Sequence, residues 1–341
     1  MTSSLLSRPS EEGARLLALS FLDQAAQAWP RLADPANSAD TEALHDFRVA
    51  LRRLRSCLRA YRSHLEDSIP RKLAKRLKRL AASTGPGRDT EVQIEWLQGR
   101  RPHLAVHHRA GLAWLLARLE ERMRDAREEM REEIEHEFLK VEEELRRRLS
   151  VYHTEIHLDP ASPRETLGGA TAALLRRQVA DLEAHLARVE DPEDEEEAHE
   201  ARISAKRVRY LLEPFAGEIE GAAPVVKGFK TLQDLLGDLH DAHVLETELA
   251  GAVETAAAER ARRVLELSLA QAPDDRFLRA ERRRDRESGL ISLARLNRAR
   301  RDRLFEALEA EWLAGKAHDF LRQVEGLPLD TPASPPVDSV A

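Results

Sequence analysis

The sequence predicts an all-α chain, and three observations carry that prediction. Alternating β-branched runs of four or more residues are absent, whereas apolar residues recur with a 3.6-residue period along most of the chain. Charged residues make up 34% of the 341 and aromatic residues only 4%, with Ala, Leu, Glu and Arg dominant, the composition of long amphipathic helices. Breaks in the periodicity at 33–41, 83–87, 158–164, 190–197, 217–224 and 271–275 each carry Pro, Gly or clustered polar residues. With 42% hydrophobic residues the chain is long enough to bury a real core.

The elements follow in order. Residues 10–28 read as an ordinary amphipathic first helix; the apolar run 16–22 is short, lacks a basic lead-in and follows Glu11 and Glu12, which is not secretory character. Residues 45–62 form a helix with two neighbouring stripes. Leu44, Phe47, Leu51, Leu54, Leu58, Tyr61 and Leu65 make the apolar one, facing the core. His45, Arg48, Arg52, Arg55, Arg59 and Arg62, spaced 3, 4, 3, 4, 3, make the cationic one. At 1.5 Å per residue the cationic stripe is about 25 Å long.

The next helix, 71–79, turns Leu73, Leu77 and Leu80 inward and presents a stripe of Lys72, Lys75 or Arg76, and Arg79. A helix around 118–148 is equally charged, but its Glu and Arg residues fall into neutralising pairs: Glu120–Arg124, Arg124–Glu128, Arg131–Glu135, Lys140–Glu144 and Glu142–Arg146. The largest break, near 157, divides the chain into a first half, 1–157, and a second half, 158–326. The proline-rich tail 327–341 reads as disordered.

Charge patterning narrows the function. The formal net charge of −7 hides a basic region: up to residue 110 there are 19 Lys and Arg against 12 Asp and Glu, and beyond it 35 against 49. Between Arg48 and Arg79 stand twelve Lys and Arg against Glu66 and Asp67 alone. Arg48–Arg52 and Arg55–Arg59 are like-charge pairs that cost a helix a few tenths of a kcal/mol each. Such a helix is starved of anions, which another helix or a ligand must supply. Arg outnumbers Lys there, favouring forked hydrogen bonds to phosphate or carboxylate oxygens.

The two halves resemble each other. His45-Asp-Phe-Arg48-Val-Ala-Leu-Arg52-Arg53-Leu-Arg55 aligns with His199-Glu-Ala-Arg202-Ile-Ser-Ala-Lys206-Arg207-Val-Arg209 at an offset of 154. Lys78-Arg-Leu80, Gly85-Pro-Gly-Arg88-Asp89 and Val92 align with Lys230-Thr-Leu232, Gly237-Asp-Leu-His240-Asp241 and Val244 at an offset of 152. Two ordered matches at nearly one offset indicate a duplicated helical unit. The second copy of the basic surface would comprise Arg202, Lys206, Arg207, Arg209, Lys227 and Lys230.

Other chemistries leave weaker marks. The single cysteine, Cys57, excludes a disulfide scaffold and a Cys-based zinc site and suits a reducing cytosol. No apolar run approaches 18 residues, so nothing here spans a membrane as a helix. His240-Asp241-Ala-His243 invites metal chelation, but the pair has no partner Cys, and Asp238 and Asp241 equally suit a helix cap. Glu133-Ile-Glu135-His-Glu137 superficially resembles the Glu-x-Glu-x-Lys strand of triphosphate-processing barrels, but Glu137 replaces the lysine and the surroundings are helical. Neither a Gly-rich phosphate loop nor a Ser/His/Asp order is present. The basic stripes carry no aromatic platform for stacking bases, since Phe47 and Tyr61 belong to the apolar stripe and Tyr210 and Phe215 follow the second block.

The doubled motif, His45-x-x-Arg48-x-x-x-Arg52-Arg53-x-Arg55 with Gly85-x-x-Arg88-Asp89 and their repeats from His199 and Gly237, resembles the conserved-histidine α-helical (CHAD) family over roughly residues 10–320. The resemblance implies two four-helix units about a pseudo-twofold axis around a shared basic groove or pore. It further implies binding of inorganic polyphosphate without catalysis, and residence in the cytoplasm, on polyphosphate granules. The residues it points to are His45, Arg48, Arg52, Arg53, Arg55, Arg59, Lys72, Lys75, Arg76, Arg79 and Arg88 in the first half. In the second half they are His199, Arg202, Lys206, Arg207, Arg209, Lys227 and Lys230. Departures are Ala201 where Phe47 stands, and the sparse Lys227 and Lys230 in place of the dense 71–79 run, which assigns more of the binding to the first half. His45 and His199 are phosphate donors or helix-start residues bonded to the opposite unit; both roles stay open. No cofactor or metal is expected. The alternatives are a protein that reads duplex RNA by shape and a metal-dependent phosphohydrolase centred on His45, His199 and His240.

Overall fold

A computed structural model of the chain describes residues 4–33, 41–151, 164–269, 276, 279 and 285–329. The described residues are helical throughout, with no strand; their one extended pairing is a bridge between Pro9 and Thr166. The breaks anticipated at 158–164 (but for Arg164) and 271–275, the interior of the break at 33–41, the boundary at 157 and the tail beyond Leu329 lie outside the described residues.

The first long helix, α1 (Ser10–Ala33), carries Glu11 and Glu12 in its first turn, where they meet the positive end of the helix dipole. It runs five residues past the expected end at 28, through Pro30. Trp29 and Leu32 pack against the core on either side of the proline, which offsets the hydrogen bond that Pro30 cannot donate. Small buried residues on α1, Ala14, Ala18 and Ala25, let α2 (Thr41–Ala60) lie close along it. On α2 the expected apolar stripe is the buried one: Phe47, Leu51, Leu54 and Leu58 lie in the core.

The cationic helix is shorter than its periodicity suggested. It stops at Ala60, and Arg62 starts a separate turn, α3 (Arg62–Leu65). The buried Tyr61 lies between them, its hydroxyl 2.7 Å from Thr171 Oγ1. Next come α4 (Arg71–Ser83) and α5 (Pro86–Arg100), separated at Thr84 and Gly85, with Pro86 at the first helical position, where its missing N–H costs nothing. Helix α6 (Arg109–Leu149) contains the Glu133–Glu137 segment, which is therefore helical. Of the five pairs expected along it, Glu142–Arg146 at 2.6 Å is formed. Other charges reach neighbouring helices instead: Arg122 to Glu248, Arg118 to Glu259 and Arg127 to Glu91.

The remaining helices are α7 (Leu167–Leu186), α8 (Glu195–Leu212), α9 (Ala222–Leu269), α10 (Glu287–Glu311) and α11 (Ala317–Glu325). Thr166 caps α7 by accepting from Gly169 N at 3.1 Å. Three glutamates open α8, again at the positive dipole end.

The buried side chains form two clusters. The larger draws on α1, α2, α4, α7, α8 and α11, the C-terminal part of α6, the start of α9 and the end of α10. Residues from before and after 157 share this one core. The smaller cluster joins α5, the start of α6, Leu245–Ala256 of α9 and the start of α10. It is pinned where α6 crosses α10. A Cβ on Gly111 would meet Arg286 O at 2.3 Å, and one on Gly289 would meet His108 O at 2.2 Å, so only glycine permits this approach.

The segment from 327 onward was expected to be disordered, and its first residues differ. Leu329 is buried, and its carbonyl lies where a Cβ on Gly168 would be, 2.2 Å away. Burial of one leucine side chain offsets the ordering of these few residues.

Candidate functional site

Helices α2 and α8 lie side by side, and α4 closes over α2. Between them opens a groove of about 800 Å³. From α2 and α3 it receives Arg52, Arg55, Arg59 and Arg62; from α4, Arg71, Lys75 and Lys78; from α8, Lys206 and Arg207. Its acids are Glu66 and Asp67. The floor is apolar, made by Leu58, Leu65, Leu77 and Ile203.

The geometry follows from helical periodicity. On α2 the cationic positions are one residue on from Leu51, Leu54 and Leu58, so anchoring the leucines in the core aims Arg52, Arg55 and Arg59 along the neighbouring face. On α8 the buried Ala205 and Val208 place Lys206 and Arg207 likewise. Arg55 and Arg59 form no ion pair among the described residues. Burial lowers the pKa of both guanidiniums, and for Arg59 the like charges of Arg207 and Arg55 add to the effect. The groove thus holds uncompensated positive charge, partly removed from water.

A second group of charges gathers where α2 and α8 meet α5 and α9. Burial lowers the Arg48 pKa, opposed by Glu91 and Asp89 and reinforced by Arg88 and Arg52. Burial lowers that of Arg202 too, opposed by Asp241 and Asp89. Asp241 is raised by burial, with Arg202 pulling the other way. The rings of His199 and His240 stand 4.8 Å apart, and burial together with Arg202 holds His240 down at about 4. Arg202 Nε, His199 Nδ1 and His240 Nδ1 are buried with no hydrogen-bond partner among the described residues. Lys206 sits between this group and the groove, and burial beside Arg202, Arg52 and Arg209 brings its amine down to about 7.

The sequence-derived candidates therefore divide. Arg52, Arg55, Arg59, Lys75, Lys206 and Arg207 meet in the groove. Arg48, Arg88, His199 and Arg202 belong to the charged junction beside it, where Arg88 also pairs with Glu91 at 3.4 Å. Two arginines from the dense runs are taken up by ion pairs: Arg53 meets Glu213 at 2.5 Å, and Arg76 meets Glu137 of α6 at 2.9 Å. Arg209 faces Tyr210 and lies 3.7 Å from Glu213. His45 is exposed on α2, and Lys72, Arg79, Lys227 and Lys230 are exposed without lining the groove.

Three further cations and one aromatic residue of the groove stand outside the set that the resemblance pointed to, Arg62 of the cationic stripe among them. Arg62, Arg71 and Lys78 line the groove because α3 and the turn after it redirect the chain. Tyr210 enters from α8 with Arg52 5.6 Å and Arg209 5.1 Å from its ring centre, within cation–π range. Its place one residue after Arg209 was the available signal. The expectation that the basic surface lacks an aromatic is corrected at this position: α8 turns far enough between Arg207 and Tyr210 for both to face the groove.

His243 makes a structural contact, its Nε2 2.7 Å from Pro192 O. Among the described residues no group of three or more His, Cys, Asp or Glu side chains is placed to hold a metal ion. No described helix is long and apolar enough to cross a membrane.

No curated protein matches this sequence. Among solved structures, the chain resembles the CHAD domain from the plant Ricinus communis with a TM-score of 0.55 at 19% identity, covering 94% of this chain and 92% of that one. It also resembles PptA from Streptomyces chartreusis, with a TM-score of 0.52 at 17% identity, over 89% of this chain and 99% of that one. At such identities these likenesses speak for the fold. The CHAD domain model matches residues 17–250, a narrower span than the motifs suggested but more than half of the chain, and with the helical fold it establishes that this chain belongs to the CHAD domain family.

Proposed function

We propose that the protein binds inorganic polyphosphate in the groove between α2, α4 and α8, without turning it over. The observation that carries this reading is the nine cationic side chains facing Glu66 and Asp67 alone across a single groove. Like charges held together at a cost to folding are explained by a ligand that brings the missing anions. The mechanism is electrostatic: the guanidiniums and amines replace counterions along a linear polyanion, whose release drives binding.

The architecture is read as a duplicated unit whose His-Arg helices are α2 and α8. In support, His45 and His199 each stand at the fifth position of their helix, and α1 precedes α2 as α7 precedes α8. The first half contributes seven of the nine groove cations, in keeping with its richer sequence. A cytoplasmic location, on polyphosphate granules, completes the proposal. Tyr210 in the groove favours one second reading, a single-stranded nucleic acid whose base stacks there.

Competition decides between them. Long-chain polyphosphate and RNA are titrated at equal phosphate concentration against a labelled polyphosphate, over a range of salt. Polyphosphate should win, with log affinity falling against log salt at about −0.7 per contact, or roughly −6 for nine contacts. RNA displacing polyphosphate would overturn the proposal.

A further inference from the structure

The two ends of the groove are built differently. Helix α2 runs into a bend past Arg59, α3 opens with Arg62, and α4 leaves with Arg71, so Glu66 and Asp67 stand at the turn where two cationic arms meet. At the other end the stripe continues, since Arg48 and Arg202 lie one helical turn before Arg52 and Lys206 on α2 and α8. On a continuous helix Glu66 would be spaced to pair with Arg62, but α3 ends at Leu65 and no such pair forms. Both carboxylates are exposed and make no ion pair or hydrogen bond among the described residues, although nine cations line the same groove.

The bend itself is tied down. Leu65 and Ser68, on either side of the two acids, are buried. Arg15 of α1, 2% exposed and paired with Glu11, donates from Nη2 to Ser68 Oγ, and its Nη1 donates to Arg148 O of α6 at 3.1 Å. Arg148 Nη1 reaches Ser68 O at 3.5 Å, and His64 Nδ1 lies 3.2 Å from Ser10 Oγ. A guanidinium buried so deeply is costly to strip of these partners, which fixes the turn to α1 and α6. The acids are thus held at the end of the groove by a turn that does not swing toward the cations.

We propose that Glu66 and Asp67 are specificity-determining residues that end the polyanion track: they repel a chain at the bend and so limit the run of phosphates that the groove accepts. This rests on the polyanion reading above. From Arg52 to Arg62 the track is about 15 Å long at 1.5 Å per residue. A chain that fills it meets two carboxylates, which repel phosphate oxygens and have no proton to donate to them, and its remainder leaves past Arg48 and Arg202. A chain too short to reach the bend settles among Arg52, Arg55 and Lys206 and avoids the acids. A carboxylate in contact with a phosphate weakens binding about fivefold in water, and salt screens that effect.

Isothermal titration at low salt compares long-chain polyphosphate with tripolyphosphate. The proteins are the intact wild-type chain, Glu66→Gln with Asp67→Asn, and a control with the same change of net charge, Glu306→Gln with Glu309→Gln. The control residues are exposed on α10 and do not line the groove. Loss of Glu66 and Asp67 should raise affinity for the long chain on the order of tenfold, with little gain for tripolyphosphate and little in the control. An unchanged long-chain affinity overturns the proposal, and so does an equal gain in the control, which would make net charge the cause. An equal gain with tripolyphosphate overturns the selection by length. Absence of wild-type binding to either ligand refutes the polyanion reading itself, and the stop falls with it.

Discussion

Arg55 and Arg76 have equal standing in the sequence, each in a dense run of cations, yet the structure gives them opposite tasks. Arg55 lies in the groove beside Arg59, four residues on, with no ion pair among the described residues. A like-charge pair at this spacing costs the helix about 0.2–0.5 kcal/mol, so Arg55→Gln with Arg59→Gln should leave thermal stability unchanged or slightly raised. Binding should suffer: two lost contacts reduce the salt slope by about 1.4 and the affinity by on the order of a hundredfold at low salt. Arg76→Gln is the contrasting variant. It breaks a part-buried pair with Glu137 that ties α4 to α6, worth about 1 kcal/mol, and lowers the melting temperature by about 2 °C while leaving the salt slope intact. Fluorescence polarisation with labelled polyphosphate at several salt concentrations, beside thermal melts of each variant, reads both quantities. The reverse pattern would refute the assignment: a double variant that melts several degrees lower yet binds as before makes the groove arginines structural.

Two further expectations test the framework that holds the site. Gly289→Ala drives a methyl group into His108 O at the α6–α10 crossing, and should cost about 1–3 kcal/mol in a chemical-denaturation experiment while leaving polyphosphate affinity near wild type, since the smaller core is built apart from the groove. Tyr61→Phe removes a buried hydrogen bond whose acceptor, Thr171 Oγ1, keeps its own bond to Leu167 O at 2.6 Å; the loss should be about 1 kcal/mol, and a neutral result would show that the bond does not hold α2 to α7.

Much of this molecule is legible along the chain because helices report themselves locally. The apolar stripe of α2 names the buried residues Phe47, Leu51, Leu54 and Leu58, and the period that defines it also defines the cationic stripe alongside. Proline and glycine mark the break between α4 and α5. The excess of cations between Arg48 and Arg79 is likewise visible before any fold is known.

Partnership is different in kind, since it depends on which helices are brought together. Local charge spacing assigned α6 five internal pairs, yet several of its residues serve neighbours far along the chain, Glu137 among them. The anion for Arg53 is Glu213, 160 positions away, and nothing in the run of arginines distinguishes Arg53 from Arg52 or Arg55. The break at Tyr61 is equally silent, because a buried hydroxyl bonded to Thr171 on another helix, not a local breaker residue, accompanies the change of direction that brings Arg62 and Arg71 to the groove. Tyr210 and Lys206 acquire their surroundings from α2 and α9 as well as from α8. Charge content and helical phase are properties of a segment, and the sequence carries both in full. Which charges remain unpaired is a property of long-range contacts, and it is settled only when burial of the apolar stripes has brought α2, α4 and α8 around one groove.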